Sequence, residues 1–259
     1  FEIVSCLRFS EQGGSKQNRS ASVSGAEGKL ATLYYGSAAD IWRINKGLRR
    51  RKDQAVLGFD LDTERGYWAK NQQNPDDEDD PLSNSIVKVV PFVQDRRNSL
   101  LFEPAVQLEE GQMASLQAAL KRAIQLEYEL EDNELAAEPL PSRDQRNLIL
   151  FYESSEGGAG VLRQFIDNPD AWGKVCREAI SLCHFDPDTG DDQHKGSKSE
   201  EECEAACYDC LMSYGNQLDH QQLDRKNIHE FLVQMSTANV TASPVEAPRS
   251  EHLAKLMDK

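Results

Sequence analysis

Four cysteines in the second half of the chain, Cys183, Cys203, Cys207 and Cys210, constrain the fold more than any other feature. The last three make a C-x3-C-x2-C cluster, and the first lies upstream across nineteen intervening residues that form an acidic, hydrophilic loop. Thiolates gathered in this way meet the tetrahedral demand of a zinc ion, and four sulfurs leave no open position for catalysis. The short spacings let one turn of backbone present three sulfurs, while the distant cysteine staples a second element to it. The pattern predicts a structural Zn2+ site with Cys183, Cys203, Cys207 and Cys210 as ligands. Buried thiols or disulfides are the competing readings of the same residues.

The remaining composition fits an intracellular, cytoplasmic protein with no membrane partner. No stretch reaches the apolar length needed to cross a bilayer, and no N-terminal signal sequence is visible. A chain of 259 residues can build a core without disulfide staples. Cys176 sits seven residues before Cys183 on a predicted helix and is expected to pack inward. The chain opens on Phe1 rather than Met, in mid-pattern, as a piece cut from something longer would.

A net charge of −15 argues against a nucleic-acid partner until its distribution is considered. Residues 76–80 are Asp-Asp-Glu-Asp-Asp, and residues 186–202 hold seven acids against two lysines, so two loops carry most of the imbalance. Against this background Arg43, Lys46, Arg49, Arg50, Arg51 and Lys52 place six cations within ten residues. A stripe of that density can neutralise phosphates; the alternative is a solvated loop that balances the acidic ones.

The pattern of apolar residues predicts an α+β protein: a mixed sheet with covering helices, followed by a mostly helical four-cysteine module. Residues 1–29 read as a flexible lead-in, with a Ser/Gly/Gln-rich loop over 10–29. Residues 30–158 read as the sheet-containing part, 159–235 as the helical zinc module and 236–259 as a tail. Strands are expected at Leu30–Tyr35, Gly58–Leu61, Tyr67–Trp68, Ile86–Val93 (where Pro91 makes an edge or an early end) and Asn147–Glu153. Ala38–Arg43 reads as a short helix, and Asn71–Asn84 as a polar loop. Leu116, Leu120, Ile124 and Tyr128 recur every four residues, which predicts a long helix over Gln112–Asp132 with a core-facing stripe. Pro139 and Pro141 are expected to break the chain after it. Further helices are predicted at Val161–Ile166, Trp172–Leu182, Leu223–Gln234 and Ser250–Met257.

Between the Asn147–Glu153 strand and the next helix stands Ser154-Ser-Glu-Gly-Gly-Ala-Gly160. Three glycines there permit positive φ, and the helix start offers free N–H donors for an anion. The segment lacks the lysine of a phosphate-binding loop and the spacing of a dinucleotide fingerprint, which favours a tight structural turn in which Glu153 or Glu156 orients its neighbours.

Taken together, Phe151-Tyr-Glu-Ser-Ser-Glu-Gly-Gly-Ala-Gly-Val-Leu-Arg163, Cys183, Cys203-Glu-Ala-Ala-Cys-Tyr-Asp-Cys-Leu-Met-Ser-Tyr-Gly-Asn-Gln217 and His220-Gln-Gln-Leu-Asp-Arg225 closely resemble the MrfA-type zinc-binding (MZB) domain. Upstream, Tyr35-Gly-Ser-Ala-Ala-Asp-Ile-Trp-Arg-Ile-Asn-Lys-Gly47, Gly58-Phe-Asp-Leu61 and Phe92-Val-Gln-Asp-Arg-Arg-Asn98 look like that domain's usual lead-in. The resemblance spans roughly residues 30–235. It implies Cys183, Cys203, Cys207 and Cys210 as metal ligands. It also implies a place on the C-terminal side of a large bacterial or archaeal DEAD/DEAH-box helicase, or in a phage-defence partner protein. The partners would then be the helicase motor domains of the same parent chain and nucleic acid, DNA by expectation. The chain has no Walker-type GKT/GKS sequence and no DEAD/DEAH box, so ATP binding would belong to a motor N-terminal of Phe1.

Under that reading the Arg43–Lys52 stripe supplies phosphate contacts, and Trp42 and Trp68 supply stacking surfaces. Two other classes compete. Asp219, His220, Asp224 and Arg225 could hold a divalent cation in a nuclease-like site, although helix-start, capping and ion-pair roles are more usual for such residues. A pure protein-interaction module, contacting its partner through the acidic loops, is the third.

Overall fold

The computed structural model describes residues 1–12, 15–16, 18–68, 85–155, 157–196 and 201–243. The chain begins with strands β1 (Glu2–Arg8), β2 (Glu11–Gln12), β3 (Ser15–Lys16), β4 (Asn18–Gly25) and β5 (Gly28–Gly47). Next come β6 (Phe59–Asp62), β7 (Tyr67–Trp68), β8 (Ile86–Val89) and β9 (Phe92–Pro104), and then helix α1 (Glu110–Glu127). β10 (Leu135–Ser142) and β11 (Gln145–Glu153) precede α2 (Val161–Asp167) and α3 (Ala171–Leu182). A 3-10 segment over Tyr214–Gln222, α4 (Lys226–Ser236) and β12 (Asn239–Ala242) complete the described chain.

Two compact units emerge. The larger comprises Leu7–Asp40 and the chain from Arg96 onward; the smaller comprises Phe1–Cys6 and Ile41–Asp95. The main sheet runs β10-β11-β9-β5-β4-β12, with β1 also paired to β5. Its β10–β11, β11–β9, β4–β5 and β4–β12 ladders are antiparallel. The architecture is α+β.

In the larger unit α1 lies against β10, β11 and α3, and α3 packs on α4. The helix presents Met113, Leu116, Ala119, Leu120, Ala123 and Ile124, all buried, because residues three and four apart share one face. Gln112 fastens its start: its Oε1 accepts the Glu109 N–H at 3.0 Å and its Nε2 donates to the Asn227 carbonyl at 3.0 Å. The helix ends before the expected Asp132, because Glu129 turns left-handed at φ 52 and Leu130 N–H returns to the Gln125 carbonyl. Trp172 is the largest fully buried side chain, stacked on Phe102 at 5.5 Å and edge-on to Phe165 at 5.3 Å. Each such ring contributes about 1.5–3 kcal/mol of burial energy. Sheet residues such as Leu33 and Phe102 and helical-module residues such as Leu162 and Leu232 share this one core.

Three expectations need correction. Residues 18–25 of the expected lead-in loop form β4, which pairs with both β5 and β12. Ala38–Arg43 is not a helix but the middle of β5. A short apolar run carries no period that separates strand from helix, and pairing across the sheet decides it. Pro139 and Pro141 do not break the chain; both lie in β10, the outermost strand of its side, where a missing N–H leaves no ladder partner unsatisfied.

The smaller unit carries a three-stranded sheet, β7-β6-β8, with both pairings antiparallel. β8 stops at Val89, and Pro91 separates it from β9. Phe59 meets Phe1 at 5.9 Å and Trp68 at 5.8 Å, and Trp42 stacks on Phe92 at 5.2 Å. Among the described residues, no helix is long and apolar enough to cross a membrane. The expected acidic loop Asn71–Asn84 and helix Ser250–Met257 lie outside the described residues.

Candidate metal centre

The last turn of α3 brings the chain to the site. Cys183 caps the helix, its N–H bonded to the Ala179 carbonyl at 3.0 Å, and His184 follows in the left-handed region at φ 62. That reversal swings the chain into the loop that leads to Cys203. The Asp186 carboxylate organises the first bend by accepting the N–H groups of Asp188 and Thr189 at 2.8 and 2.9 Å, which holds it below the ordinary carboxylate range. Phe185 bridges to Asp192, Gln193 N–H reaches the His184 carbonyl at 2.8 Å, and Cys203 N–H reaches the His194 carbonyl at 2.6 Å. The loop therefore folds back on the helix end and delivers Cys203 beside it.

From Cys203 the chain forms a tight turn. Cys207 N–H points at the Cys210 sulfur at 3.1 Å, and Met212 N–H bonds the Cys207 carbonyl at 2.9 Å. Three sulfurs converge: Cys203 to Cys210 is 3.7 Å and Cys207 to Cys210 is 3.5 Å. The fourth donor is His184, whose Nε2 stands 3.2 Å from the Cys207 sulfur. All four ligand atoms lie within 4.8 Å of one another, and among the described residues this is the one such group of three or more His, Cys, Asp or Glu.

The two sulfur–sulfur distances fit a tetrahedral zinc ion, and the 3.2 Å from His184 Nε2 to the Cys207 sulfur is shorter than that geometry gives. Bonds of about 2.3 Å to sulfur and about 2.0–2.1 Å to nitrogen put donor atoms roughly 3.5–3.8 Å apart. Soft thiolates with an imidazole suit zinc, and four protein donors leave no position for substrate. The cluster brings together Cys203, Cys207 and Cys210 of the expected ligands. It does not include Cys183. Cys183, fully buried at the end of α3, stands beside the group, its thiol within electrostatic reach of Arg225, Cys203 and Cys207, and the next residue, His184, is the one grouped with the three sulfurs. Nothing in the cysteine spacing flags that histidine; its adjacency to Cys183 is the one available signal.

The electrostatics suit a cation. Burial pushes the Cys183 thiol up to about 12 and raises Cys203 and Cys210 as well, so these groups resist ionising unless positive charge is supplied; a metal-bound thiol deprotonates outright. Burial and the nearby Arg225 hold His184 below the usual histidine range, which keeps its ring in the neutral, ligating form. Arg225 is wholly buried. It donates Nε and Nη2 to the Cys203 carbonyl at 3.0 and 2.7 Å, and Nη1 to the Cys183 carbonyl at 3.1 Å. It also grips Asp192 through both Nη atoms and lies 4.8 Å from the Phe185 ring centre. This is the neighbouring cation a thiolate centre calls for. From the other side Arg122 of α1 donates to the carbonyls of Tyr208 and Cys210 at 2.7 and 3.2 Å. No sequence signal points to Arg122.

The other sequence-predicted groups are placed as follows. Arg43 pairs with Asp95 at 2.9 Å, Lys46 and Arg51 both reach Glu2 at 2.6 Å, and Arg49 donates to the Phe1 carbonyl. Arg49, Arg50 and Lys52 are exposed. Asp219, His220, Asp224 and Arg225 do not assemble into one group. Asp219 accepts from Arg143 and Arg146, each at 2.7 Å, and His220 faces the Ser213 carbonyl and Asn216. Asp224 caps the start of α4 by accepting the Lys226 N–H at 2.8 Å.

The glycine-rich segment is a structural turn. Gly157, Gly158 and Gly160 all have positive φ. At Gly158 a Cβ would fall 1.7 Å from Glu153 Oε2. The buried Glu153 carboxylate takes the Leu162 N–H at the start of α2 and the Asn98 side-chain amide, so it already occupies the space an anion would need.

No curated protein matches the chain. One similar solved structure is the crystal structure of the DUF1998 helicase MrfA bound to DNA. It is 11% identical with a TM-score of 0.48, over 91% of this chain and 25% of that one. The present chain thus spans about a quarter of that protein. A family model described as the MrfA Zn-binding domain matches residues 116–211, a segment that contains all four donors of the cluster. Over residues 116–211 the chain is thus similar to the MrfA Zn-binding domain.

Proposed function

We propose that the chain is a zinc-stabilised accessory part of an ATP-dependent helicase of the DEAD/DEAH-box type that works on DNA, in repair or in defence against foreign DNA inside the cell. The observation that carries this reading is the coincidence of the matched segment with the four-donor cluster. The domain is named for MrfA, a helicase solved with DNA. The metal is a folding device: its donors join the end of α3 to the Cys203–Cys210 turn, and Arg225 holds the same loop through the Cys183 and Cys203 carbonyls. ATP turnover belongs to motor domains outside this chain, because the chain has no phosphate-cradling lysine motif of its own.

Nucleic acid contact belongs with the exposed cations Arg49, Arg50 and Lys52 and the exposed Trp68 of the smaller unit. Arg43, Lys46 and Arg51 support that surface through their carboxylate partners more than they contact phosphate. Cations beside an aromatic ring are the means by which sequence-independent grooves hold a strand.

The test is direct. Purified chain is expected to contain one zinc and to hydrolyse no ATP, while the parent protein hydrolyses ATP in response to DNA and loses that response when Cys207→Ser empties the site. A zinc-free chain, or ATP turnover by the chain alone that a point change within it abolishes, overturns the reading.

A further inference from the structure

We infer that the zinc module docks onto another part of the parent protein through Tyr208, Tyr214 and Leu218, which enter an apolar pocket rimmed by lysines and arginines. The inference rests on the helicase reading above and deepens it by naming the surface that meets the rest of the machine.

Tyr214 and Leu218 are 87% and 81% exposed, the two most exposed large apolar side chains among the described residues, and Tyr208 is 62% exposed. Single exposed apolar residues are ordinary, but three within eleven residues of one pinned segment are not. His220 gathers them. Its ring meets the Tyr208 ring edge-on at 5.7 Å, and its Nε2 faces the Ser213 carbonyl and Asn216 Oδ1, each at 3.0 Å. Asn216 in turn accepts the Ser213 N–H and donates to the Leu211 carbonyl, both at 2.8 Å. Asp219 is held by Arg143 and by Arg146, whose side chain is buried. Tyr208 stands in the turn between Cys207 and Cys210, so the metal that closes the turn also sets the place of that ring. A segment fastened this way cannot fold its apolar side chains inward. Rigid, protruding tyrosines are the side chains that carry binding energy at protein interfaces.

Charge decides what they meet. From Glu201 to Asp224 the chain has no lysine or arginine, and Glu201, Glu202, Glu204 and Asp209 are exposed. The arginines that reach this segment are engaged, Arg143 and Arg146 by Asp219, and Arg122 by the Tyr208 and Cys210 carbonyls. Such a surface repels a phosphate backbone, so these tyrosines are not a stacking platform for bases. It attracts a protein surface with a positive rim, and a motor that grips DNA has to carry lysines and arginines. The rest of the parent is therefore the occupant that these charges fit.

Photo-cross-linking in the purified full-length parent tests this. With DNA present, a benzophenone amino acid in place of Tyr214 is expected to cross-link to a segment of the parent outside this chain that is flanked by lysine or arginine. Glu202→Lys with Glu204→Lys should lower that yield at least fivefold while zinc stays at one per chain. Tyr214→Ala with Leu218→Ala should leave the melting temperature of this chain unchanged, because side chains so exposed hold nothing in place, and should lower that of the parent. A cross-link to DNA, to a second copy or within this chain, or none at all, overturns the inference, as does a yield that the two lysines leave unchanged. DNA-stimulated ATP turnover by the same preparation judges the helicase reading separately. Its absence sinks that reading, and its presence without the cross-link sinks only this inference.

Discussion

Arg225 and Asp192 meet fork to fork, Nη1 2.7 Å from Oδ1 and Nη2 2.9 Å from Oδ2, with the guanidinium wholly buried. The remaining N–H groups go to the carbonyls of Cys203 and Cys183, so every one of the five guanidinium donors is used. One side chain from the threshold of α4 thereby fixes the two ends of the loop that carries the metal ligands and the carboxylate within it.

Removing Asp192 leaves the Arg225 charge buried without its partner, and removing Arg225 strips the Cys183 and Cys203 carbonyls of their donors. Arg225→Met or Asp192→Asn is expected to cost about 3–5 kcal/mol, measured by urea unfolding of the zinc-loaded chain. Arg225→Lys should recover little, because an ammonium has three donors and no fork. Equal stability of Arg225→Met and the unaltered chain would show that the pair contributes nothing.

Chelation should act on structure before it acts on any activity. Stripping zinc, or Cys210→Ser, should unfold the segment from about 170 to 235, since metal binding supplies folding free energy there. Loss of amide protection confined to that segment in hydrogen exchange would confirm it; an unchanged melting curve would contradict it.

Two adjacent glycines offer an internal control. Gly157 and Gly158 both have positive φ, but only at Gly158 does an added Cβ strike the Glu153 carboxylate. Gly157→Ala should cost about 1–2 kcal/mol from backbone strain. Gly158→Ala should cost clearly more, because it also displaces the carboxylate that caps α2. Equal melting temperatures for the two variants would count against this account.

On the smaller unit, Arg50→Glu with Lys52→Glu should weaken DNA binding by the parent protein irrespective of sequence. The salt dependence should flatten by a slope of about 0.9 for each duplex phosphate that these cations no longer neutralise. Unaltered affinity at two salt concentrations would return these residues to the role of a solvated loop.

The fold class, α1, α2, α3 and the cluster of Cys203, Cys207 and Cys210 were legible because periodicity and tight cysteine spacing are local signals. β4, the middle of β5 and β10 were not, because their identity comes from partners far along the chain: Val23 against Ala31 and Val240, Pro139 against Ile149. Arg122, reaching across from α1 to the metal loop, was not legible, since the 86 residues separating it from Tyr208 hide the contact.

The pairing of β12 with β4 bears on where this domain ends as a physical object. The matched segment stops at Leu211, yet the unit around it is sealed by a strand from residues 239–242 laid along one from residues 21–24. A chain ended at 211 would forfeit α4 and Arg225, removing the guanidinium that Asp192 and the Cys183 and Cys203 carbonyls bond, and would leave β4 without its outer neighbour. The recognisable signature is therefore shorter than the cooperative unit. Any graft or truncation that respects only the signature would inherit the ligands without the scaffold that makes them converge.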